Sequence, residues 1–257
     1  MKNEFNLLEF YEQIYSKGEK KHFTPFLKST KTIEIKEILK LTNWKNKSVL
    51  DVGCGTGELA YQISKKGSNV LGIDFSTEAI KIANSNFSQK NLKFKNMNVK
   101  EIKDKFDIII STGTFEHMKD PLSILKLFKR HLNKNGQIII LCPNWTNPRG
   151  YILMTLFYLF NSPITLADLH YFSPKDFENF SKIINMKLKW KTFDRSWAHG
   201  DDLIFDLKKR LPNVLRDSSL PKSKKNIDHF LNWINLNIVS MNNDLPHSGA
   251  IAIYLFT

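Results

Sequence analysis

A glycine-rich turn between an apolar run and a helical pattern constrains this chain more than any other feature. Residues 48–60 read SVLDVGCGTGELA, in which the apolar run passes through Asp51 into three glycines, Gly53, Gly55 and Gly57. The pattern predicts a buried strand, a tight turn and the start of a helix. Because glycine leaves the backbone bare, such a turn can approach a nucleotide-like ligand closely. An ordinary strand–loop–helix junction needs only one of these glycines.

A second short strand, Asn69–Asp74, ends in a carboxylate at about the 20-residue spacing at which an acidic side chain reaches ribose hydroxyls. Dinucleotide-binding enzymes share this geometry, so the side chains beside the turn have to indicate whether the ligand is a dinucleotide or another nucleotide-like molecule. Asp51 would repel a pyrophosphate but attract the sulfonium and ammonium groups of S-adenosylmethionine (SAM). The turn also reads GxGxG rather than GxGxxG. Both points favour SAM over NAD.

The chain resembles the class I SAM-dependent methyltransferases over about residues 44–193, because successive motifs occur in their order. These motifs are residues 51–57, Asp74, the strand 105–110, Phe115-Glu116-His117 and residues 131–136 (HLNKNG). Residues 170–174 (HYFSP) are similar to a signature of the branch that includes quinone O-methyltransferases and enzymes modifying sugars or natural products. Quinone-type relatives commonly carry a glutamate where this chain has Gly113, which weakens both a quinone assignment and a carboxylate metal site. No metal is therefore predicted.

The resemblance implies an α/β fold: a doubly wound, mostly parallel, Rossmann-like sheet of seven strands with a helical cap. We expect residues 1–43 to form an N-terminal helical lid and residues 44–193 to form the SAM-binding core, with an insertion at 143–173. Residues 194–257 would add a helical cap and the closing strand of the same domain. Alternating strand and helix patterns agree with this class.

The patterns also predict individual elements. Strands are expected near 48–52, 69–73, 92–95, 106–110, 137–141, 187–193 and 249–256, and helices near 4–16, 31–41, 58–65, 77–87, 121–131, 174–184, 201–211 and 224–241. Asp120 and Pro121 form a helix start signal, and Asn135-Gly136 is expected to supply the exit turn of that helix. Pro212 and Pro221 are expected to separate the last two helices.

The resemblance also implies a SAM site at the carboxyl ends of the strands, leaving S-adenosylhomocysteine (SAH) as product. Asp51 would anchor the ammonium, Asp74 the ribose, and the glycine turn would admit the ligand. Phe75 would lie against the adenine or pack in the core. Asn98 and Val99 follow the third strand, where many relatives place an acidic residue on the adenine. The predicted cofactor-binding residues are Asp51, Gly53, Gly55, Gly57, Asp74, Phe75, Asn98, Val99, Ser111 and Thr112.

Methyl transfer requires alignment of donor and acceptor, and an alcohol or phenol acceptor also has to lose a proton. His117 and His170 are the candidate bases, although each could equally serve a structural role. Tyr11 and Tyr15 from the opening helix, together with Trp145, are candidate substrate contacts. The predicted acceptor is a small molecule, a glycan or a lipid-linked intermediate, with transfer at oxygen. An RNA methyltransferase, an NAD-dependent enzyme and a non-catalytic SAM-binding protein are the alternatives.

Composition indicates which classes of partner and which cellular compartment are expected. The chain has 38 basic and 25 acidic residues, a formal net charge of +13, but only five of the basic residues are arginine. Bidentate phosphate recognition prefers arginine, so a solvated lysine surface is favoured over a nucleic-acid footprint. The two cysteines, Cys54 and Cys142, end predicted buried strands, which favours a reducing compartment. The N-terminus does not resemble a signal peptide, and we expect a cytoplasmic protein.

Residues 151–160 read YILMTLFYLF, an apolar run too short to span a bilayer, which takes about 20 residues. A buried helix in the cap is the preferred interpretation. The alternative is an exposed lip that contacts lipid or receives an apolar substrate, which would make the protein a peripheral membrane protein without a transmembrane segment.

Overall fold

The computed structural model describes residues 6–17, 26–165, 167–194, 199–239 and 245–257. The start of the first predicted helix (residues 4–5), residues 18–25 of the expected N-terminal lid and the end of the last predicted helix (residues 240–241) lie outside the described residues. The described helices are α1 (Leu7–Lys17), α2 (Phe26–Leu39), α3 (Glu58–Ser64), α4 (Thr77–Asn86), α5 (Pro121–Arg130), α6 (Pro148–Phe160), α7 (Pro174–Ile184), α8 (Gly200–Asp217) and α9 (Lys224–Ile234). The strands are β1 (Ser48–Val52), β2 (Asn69–Asp74), β3 (Leu92–Asn96), β4 (Phe106–Thr112), β5 (Leu132–Pro143), β6 (Leu188–Phe193) and β7 (Ile251–Phe256).

The strands form one seven-stranded sheet in the order β3-β2-β1-β4-β5-β7-β6. β1 pairs in parallel with both β2 and β4, β2 pairs in parallel with β3, and β4 pairs in parallel with β5. The chain therefore winds outward from β1 in one direction and then from β4 in the other. This confirms the predicted doubly wound, mostly parallel sheet and places the carboxyl ends of β1, β2 and β4 side by side.

The central strands are buried over most of β1 and β4 and over the second half of β5. Val49 and Leu50 in β1, the isoleucines 108–110 in β4 and 138–140 in β5 are all at most 2% exposed. Continuous apolar runs of this kind are typical of parallel strands covered on both faces. The helices that follow β1 and β2 bury one face each, with Leu59, Ala60 and Ile63 in α3, and Ala79, Ile80 and Ala83 in α4.

The start of α5 follows the predicted signal, and its end does not. The Asp120 side chain accepts a hydrogen bond from the Ser123 N–H at 3.0 Å, and Pro121 occupies the first helical turn. The predicted exit turn at Asn135-Gly136 is wrong, because β5 already begins at Leu132. Asn135, with φ of +61°, instead lies within the span of β5, which shifts register against β4 between Phe106 and Ile108.

The described chain divides into two compact units. The first comprises the described residues up to Leu141 together with Phe180–Leu188 and Tyr254–Thr257, and the second comprises those in Cys142–Asn179 and Lys189–Ile253. Within the second unit, Trp145 and Leu153 share an apolar cluster with residues of α8 and α9.

The prediction that Pro212 ends a helix is wrong. α8 continues through Pro212 to Asp217, although proline removes one backbone hydrogen bond from the helix. Leu211 and Val214, on either side of the proline, are buried in the apolar cluster of the second unit. Burial of this stripe outweighs the local cost of the proline.

The apolar segment 151–160 forms most of α6 and is partly buried. Leu153 is fully buried, whereas Tyr158, Leu159 and Phe160 are 74%, 70% and 48% exposed. Tyr151, at the start of the segment, is also 55% exposed, so the preferred interpretation of a buried helix holds only for the face of α6 that carries Leu153. Among the described residues, no helix has both the length and the apolar character needed to cross a membrane.

Candidate functional site

The glycine turn connects β1 to α3 through three residues with positive φ: Gly53 at +73°, Gly55 at +51° and Gly57 at +88°. At Gly57 a Cβ atom would lie 2.6 Å from the Phe94 ring, so this glycine is also required for packing. Gly55 differs, because among the described residues only the Tyr15 hydroxyl, at 3.2 Å, would lie near its Cβ. Gly55 is therefore less tightly packed than Gly53 and Gly57 and is a candidate position for close approach of a ligand.

Asp51 lies in β1, in register between Gly72 of β2 and Ile110 of β4. Its side chain is 1% exposed, and neither carboxylate oxygen has a hydrogen-bond partner among the described residues. The buried hydroxyl of Ser111, on the neighbouring strand, likewise has no partner there. Buried polar atoms are normally paired, so the unpaired Asp51 carboxylate makes this pair of strands a candidate binding site.

Burial, together with the nearby carboxylates of Asp74 and Glu58, raises the pKa of Asp51 to about 7. An unpaired charge in this position is costly, and an adjacent cation relieves that cost. The residues present therefore fit the ammonium group of SAM.

Asp74 ends β2 and closes the glycine turn. Its two oxygens accept hydrogen bonds from the backbone N–H groups of Gly55 and Ser76, each at 2.9 Å. Burial raises the pKa of Asp74, while these N–H groups act in the opposite direction. Each carboxylate oxygen keeps a further lone pair, so Asp74 can hold the turn and still accept from ribose hydroxyls.

The adenine side of the predicted site lies after β2 and β3. Phe75 is half-buried, and the Asn96 amide donates to the carbonyls of Asp74 and Phe75. Asn98 is exposed and caps a short 3₁₀ turn that includes Val99, with its side-chain oxygen accepting from the Lys100 N–H at 2.9 Å. The Asn98 side-chain oxygen, which is expected to accept a hydrogen bond from the adenine amino group, therefore already accepts one hydrogen bond within the protein.

Beyond β4 the chain turns sharply at Gly113, with φ of +58° and open space where a Cβ would lie. Thr112 ends the strand. The hydroxyl of Thr114 donates to the Thr112 carbonyl at 3.1 Å, and its side chain occupies the space that a Cβ of Gly53 would need. Thr114 therefore ties the β4 turn to the glycine turn, a role that the sequence analysis missed because it joins positions 61 residues apart.

Helix α1 brings both predicted tyrosines to this site. The Tyr11 hydroxyl and His117 Nε2 are 3.0 Å apart, and the Tyr11 ring lies edge-on to Phe75 with centroids 6.0 Å apart. Tyr15 stacks on Tyr11 and places its hydroxyl over Gly55. Glu12, also missed from sequence, accepts hydrogen bonds from the first backbone N–H groups of α4.

The other two predicted residues, His170 and Trp145, belong to the second unit. The His170 ring stacks on Phe172 at 5.2 Å between centroids. Trp145 is 4% exposed and packs against Tyr171 and the Arg149 guanidinium. Trp145 thus has a packing explanation within its own unit.

The strand order, the glycine turn and the acidic ends of β1 and β2 define the Rossmann-like fold of the class I methyltransferases, as predicted. The methyltransferase domain family matches residues 43–199, and the chain belongs to this family. Solved structures share the fold. A SAM-dependent methyltransferase from Thermotoga maritima has 15% identity and a TM-score of 0.61, covering 98% of this chain and 99% of that chain.

A second solved structure is magnesium protoporphyrin IX methyltransferase from Synechocystis with bound SAH, at 16% identity and a TM-score of 0.56, covering 73% of this chain and 88% of that chain. Among curated proteins, a ubiquinone biosynthesis O-methyltransferase from Acinetobacter baylyi is 29% identical over 56% of this chain and 64% of its own length. The corresponding protein from Actinobacillus pleuropneumoniae serotype 7 is 33% identical over 43% of this chain and 51% of its own length. The chain thus spans about half the length of the curated relatives it matches.

Proposed function

We propose that this protein is a SAM-dependent methyltransferase that transfers a methyl group to oxygen on a small-molecule, glycan or lipid-linked acceptor. The observation that carries the proposal is the buried Asp51 carboxylate, which has no hydrogen-bond partner among the described residues. A cation gains Coulomb energy beside it, whereas the pyrophosphate of a dinucleotide would be repelled. Membership of the methyltransferase domain family supports the same cofactor.

The residues of the first unit divide the binding of SAM between them. Asp51 and Ser111 would hold the methionine end, Asp74 the ribose, and Phe75 the adenine, with Gly55 allowing close approach. When bound, SAM supplies a methyl group already activated on a sulfonium. The protein's remaining task is to align the acceptor and to remove its proton.

Tyr11 and His117 would remove the proton from the methyl acceptor. Their hydrogen bond joins the Tyr11 hydroxyl to Nε2 of the His117 imidazole. His117 can accept the acceptor proton directly or through the Tyr11 hydroxyl, and positioned acid–base groups contribute about 10²- to 10⁴-fold in rate. His170 stays a second candidate base.

Two observations bear on the acceptor. The curated relatives are named as ubiquinone biosynthesis O-methyltransferases, which supports a small molecule with an oxygen nucleophile. The exposed end of α6, with Tyr158, Leu159 and Phe160, supports an apolar acceptor or contact with a lipid surface. Gly113 stands where quinone-type relatives commonly carry a glutamate, which argues against a quinone as the acceptor.

The test is transfer of labelled methyl from SAM into fractionated extract of the source cells, with label counted in lipid, glycan, small-molecule, RNA and protein fractions. Calorimetry with SAH and NAD would measure cofactor binding in parallel. Asp51→Asn should abolish tight SAH binding and labelling. Asp107→Asn is the matched control, because Asp107 lies near the start of β4, outside the predicted site residues, and accepts hydrogen bonds from Ser48 and Asn133. Tyr11→Phe should lower transfer while leaving SAH affinity intact.

Each alternative has its own outcome. Label confined to RNA would replace the proposed acceptor class, and preferential binding of NAD would overturn the cofactor. SAH binding with no label in any fraction would favour a non-catalytic binding protein.

A further inference from the structure

Glu12 joins helix α1 to the start of helix α4. Its carboxylate oxygens accept hydrogen bonds from the backbone N–H groups of Thr77, at 2.7 Å, and Glu78, at 3.4 Å. Thr77 and Glu78 are the first two residues of α4, and N–H groups in a first helical turn have no acceptor within their own helix. A carboxylate at this end also complements the helix dipole.

The local cap of α4 does not compete with Glu12. The Ser76 hydroxyl accepts from the Ala79 N–H at 3.1 Å, which leaves the two preceding N–H groups to Glu12. Glu12 lies 65 residues before Thr77, so this contact docks one element on another and does not merely terminate a helix.

The start of α4 follows directly on Asp74 and Phe75, at the centre of the proposed cofactor site. The helix that Glu12 docks there carries Tyr11, bonded to His117, and Tyr15, over Gly55. Tyr11 and Glu12 are adjacent in sequence, so the placement of one constrains the other. The hydrogen bond between Tyr11 and His117 depends on where α1 lies.

We propose that Glu12 is a positioning residue for the transfer reaction: by capping α4, its carboxylate holds α1 where Tyr11 meets His117. This inference rests on the proposed function and adds a requirement to it. Glu12 contacts neither reacting atom, and its effect is transmitted through Tyr11. Glutamine keeps one acceptor oxygen but loses the charge, so Glu12→Gln should retain part of the effect.

The experiment compares Glu12→Ala and Glu12→Gln with Glu9→Ala, a matched control that removes an exposed carboxylate from the same helix. Readouts are the SAM-dependent labelling rate in the fraction that accepts methyl, SAH affinity by calorimetry, and amide hydrogen exchange of residues 7–17. Glu12→Ala should lower labelling by about tenfold to 100-fold, as expected when a reacting group is misplaced by about 1 Å. SAH affinity should change by less than about threefold, because Asp51 and Asp74 lie outside α1 and the Glu12 charge is the smallest of the influences on the pKa of Asp74. Exchange in α1 should accelerate.

A double variant tests whether the effect of Glu12 on methyl transfer is transmitted through Tyr11. If Glu12 acts through Tyr11, Glu12→Ala combined with Tyr11→Phe should label no more slowly than the slower single variant. Multiplicative losses, or a Glu12→Ala variant that labels as fast as Glu9→Ala, would overturn the inference while leaving the proposed function intact. Failure of the proposed function would look different, because the unmodified protein would then not bind SAH or not transfer label.

Discussion

At the level of single residues, Asp51 connects protonation, stability and ligand binding. Its pKa is raised to about 7 by burial, then by Asp74 and Glu58. In the cofactor-free protein near neutral pH, the carboxyl group is therefore divided between its neutral and charged forms. Binding of a cation selects the charged form, so below pH 7 binding must release a proton.

We predict that the affinity for SAH falls as the pH decreases from 7 to 5.5, approaching about tenfold per pH unit at the lower end. Calorimetric titrations across this range would measure the effect, with Asp51→Asn removing the pH dependence along with most of the affinity. An affinity that stays constant across this range would contradict the assignment of Asp51 to the cofactor's ammonium group.

The same pKa predicts an unusual stability effect. Because the folded pKa of Asp51 lies above its ordinary value of 3.8, its contribution to stability is fully present below about pH 4 and is lost as the pH rises through 7. Cofactor-free Asp51→Asn should therefore melt at or above the temperature of the unmodified protein at pH 8. Asp107→Asn should instead melt below the temperature of the unmodified protein at pH 8, because hydrogen bonds from Ser48 and Asn133 lower the pKa of Asp107 and so stabilise its charged form. A large drop in the melting temperature of Asp51→Asn at pH 8 would show that the carboxylate is paired.

At the level of elements, the chain after β5 is anchored by the buried asparagines Asn144 and Asn147, of which Asn144 makes the shorter bonds to the segment before β7. The Asn144 amide donates to the carbonyls of His247, at 2.8 Å, and Gly249, at 2.7 Å, while its oxygen accepts from the Thr146 hydroxyl. This links the entry to α6 with the segment preceding β7. Asparagine is suited to this place because it offers donors and an acceptor from one short side chain.

Asn144→Ala should lower the free energy of unfolding by about 1–3 kcal/mol, because it removes one donor each from the carbonyls of His247 and Gly249. Among the described residues, these carbonyls then keep only the Thr146 hydroxyl, at 2.8 Å, and the Asn147 amide, at 3.3 Å. Denaturant titration would measure the loss. Asn226→Ala, at an exposed position in α9, is the control and should change stability by less than about 0.5 kcal/mol. Equal stability of the two variants would mean that water replaces the Asn144 contacts.

The exposed end of α6 makes a second prediction at this scale. Leu159→Asp should reduce co-sedimentation with lipid vesicles without lowering the melting temperature, since Leu159 is 70% exposed and has little packing to lose. Thr155→Asp adds the same charge to an exposed polar position of the helix and serves as control. Vesicle binding that is weak in the unmodified protein, or unchanged in Leu159→Asp, would argue against a lipid-facing lip.

For the whole molecule, cofactor binding should raise thermal stability. A ligand at 100 times its Kd adds about 2.7 kcal/mol, which corresponds to about 5–10 °C in melting temperature for a chain of this size. Scanning fluorimetry with SAH would detect this shift, and NAD at the same concentration should produce none. Asp51→Asn should lose the shift, while Asp107→Asn should keep it despite a lower starting temperature.

Helices and strands could be predicted where the residues that determine them are close together in the sequence. β1, the glycine turn and α3 follow from an apolar run, residues that tolerate positive φ and a helical period, all within residues 48–64. Asp120 as N-cap and Pro121 in the first turn likewise predict the start of α5. Local signals failed at Pro212, where burial of Leu211 and Val214 outweighs the proline, and at Asn135, which lies within the span of β5.

The sequence by itself determined the fold class, the family resemblance, and the presence of Asp51 and Asp74 at neighbouring strand ends, because strand ends and glycine turns are written in consecutive residues. Only the tertiary structure decided that Asp51 lacks a partner among the described residues, that Tyr11 meets His117 across 106 positions, and that Glu12 caps α4. These features depend on which distant surfaces meet, and a contact between distant segments leaves no periodic trace in either of them.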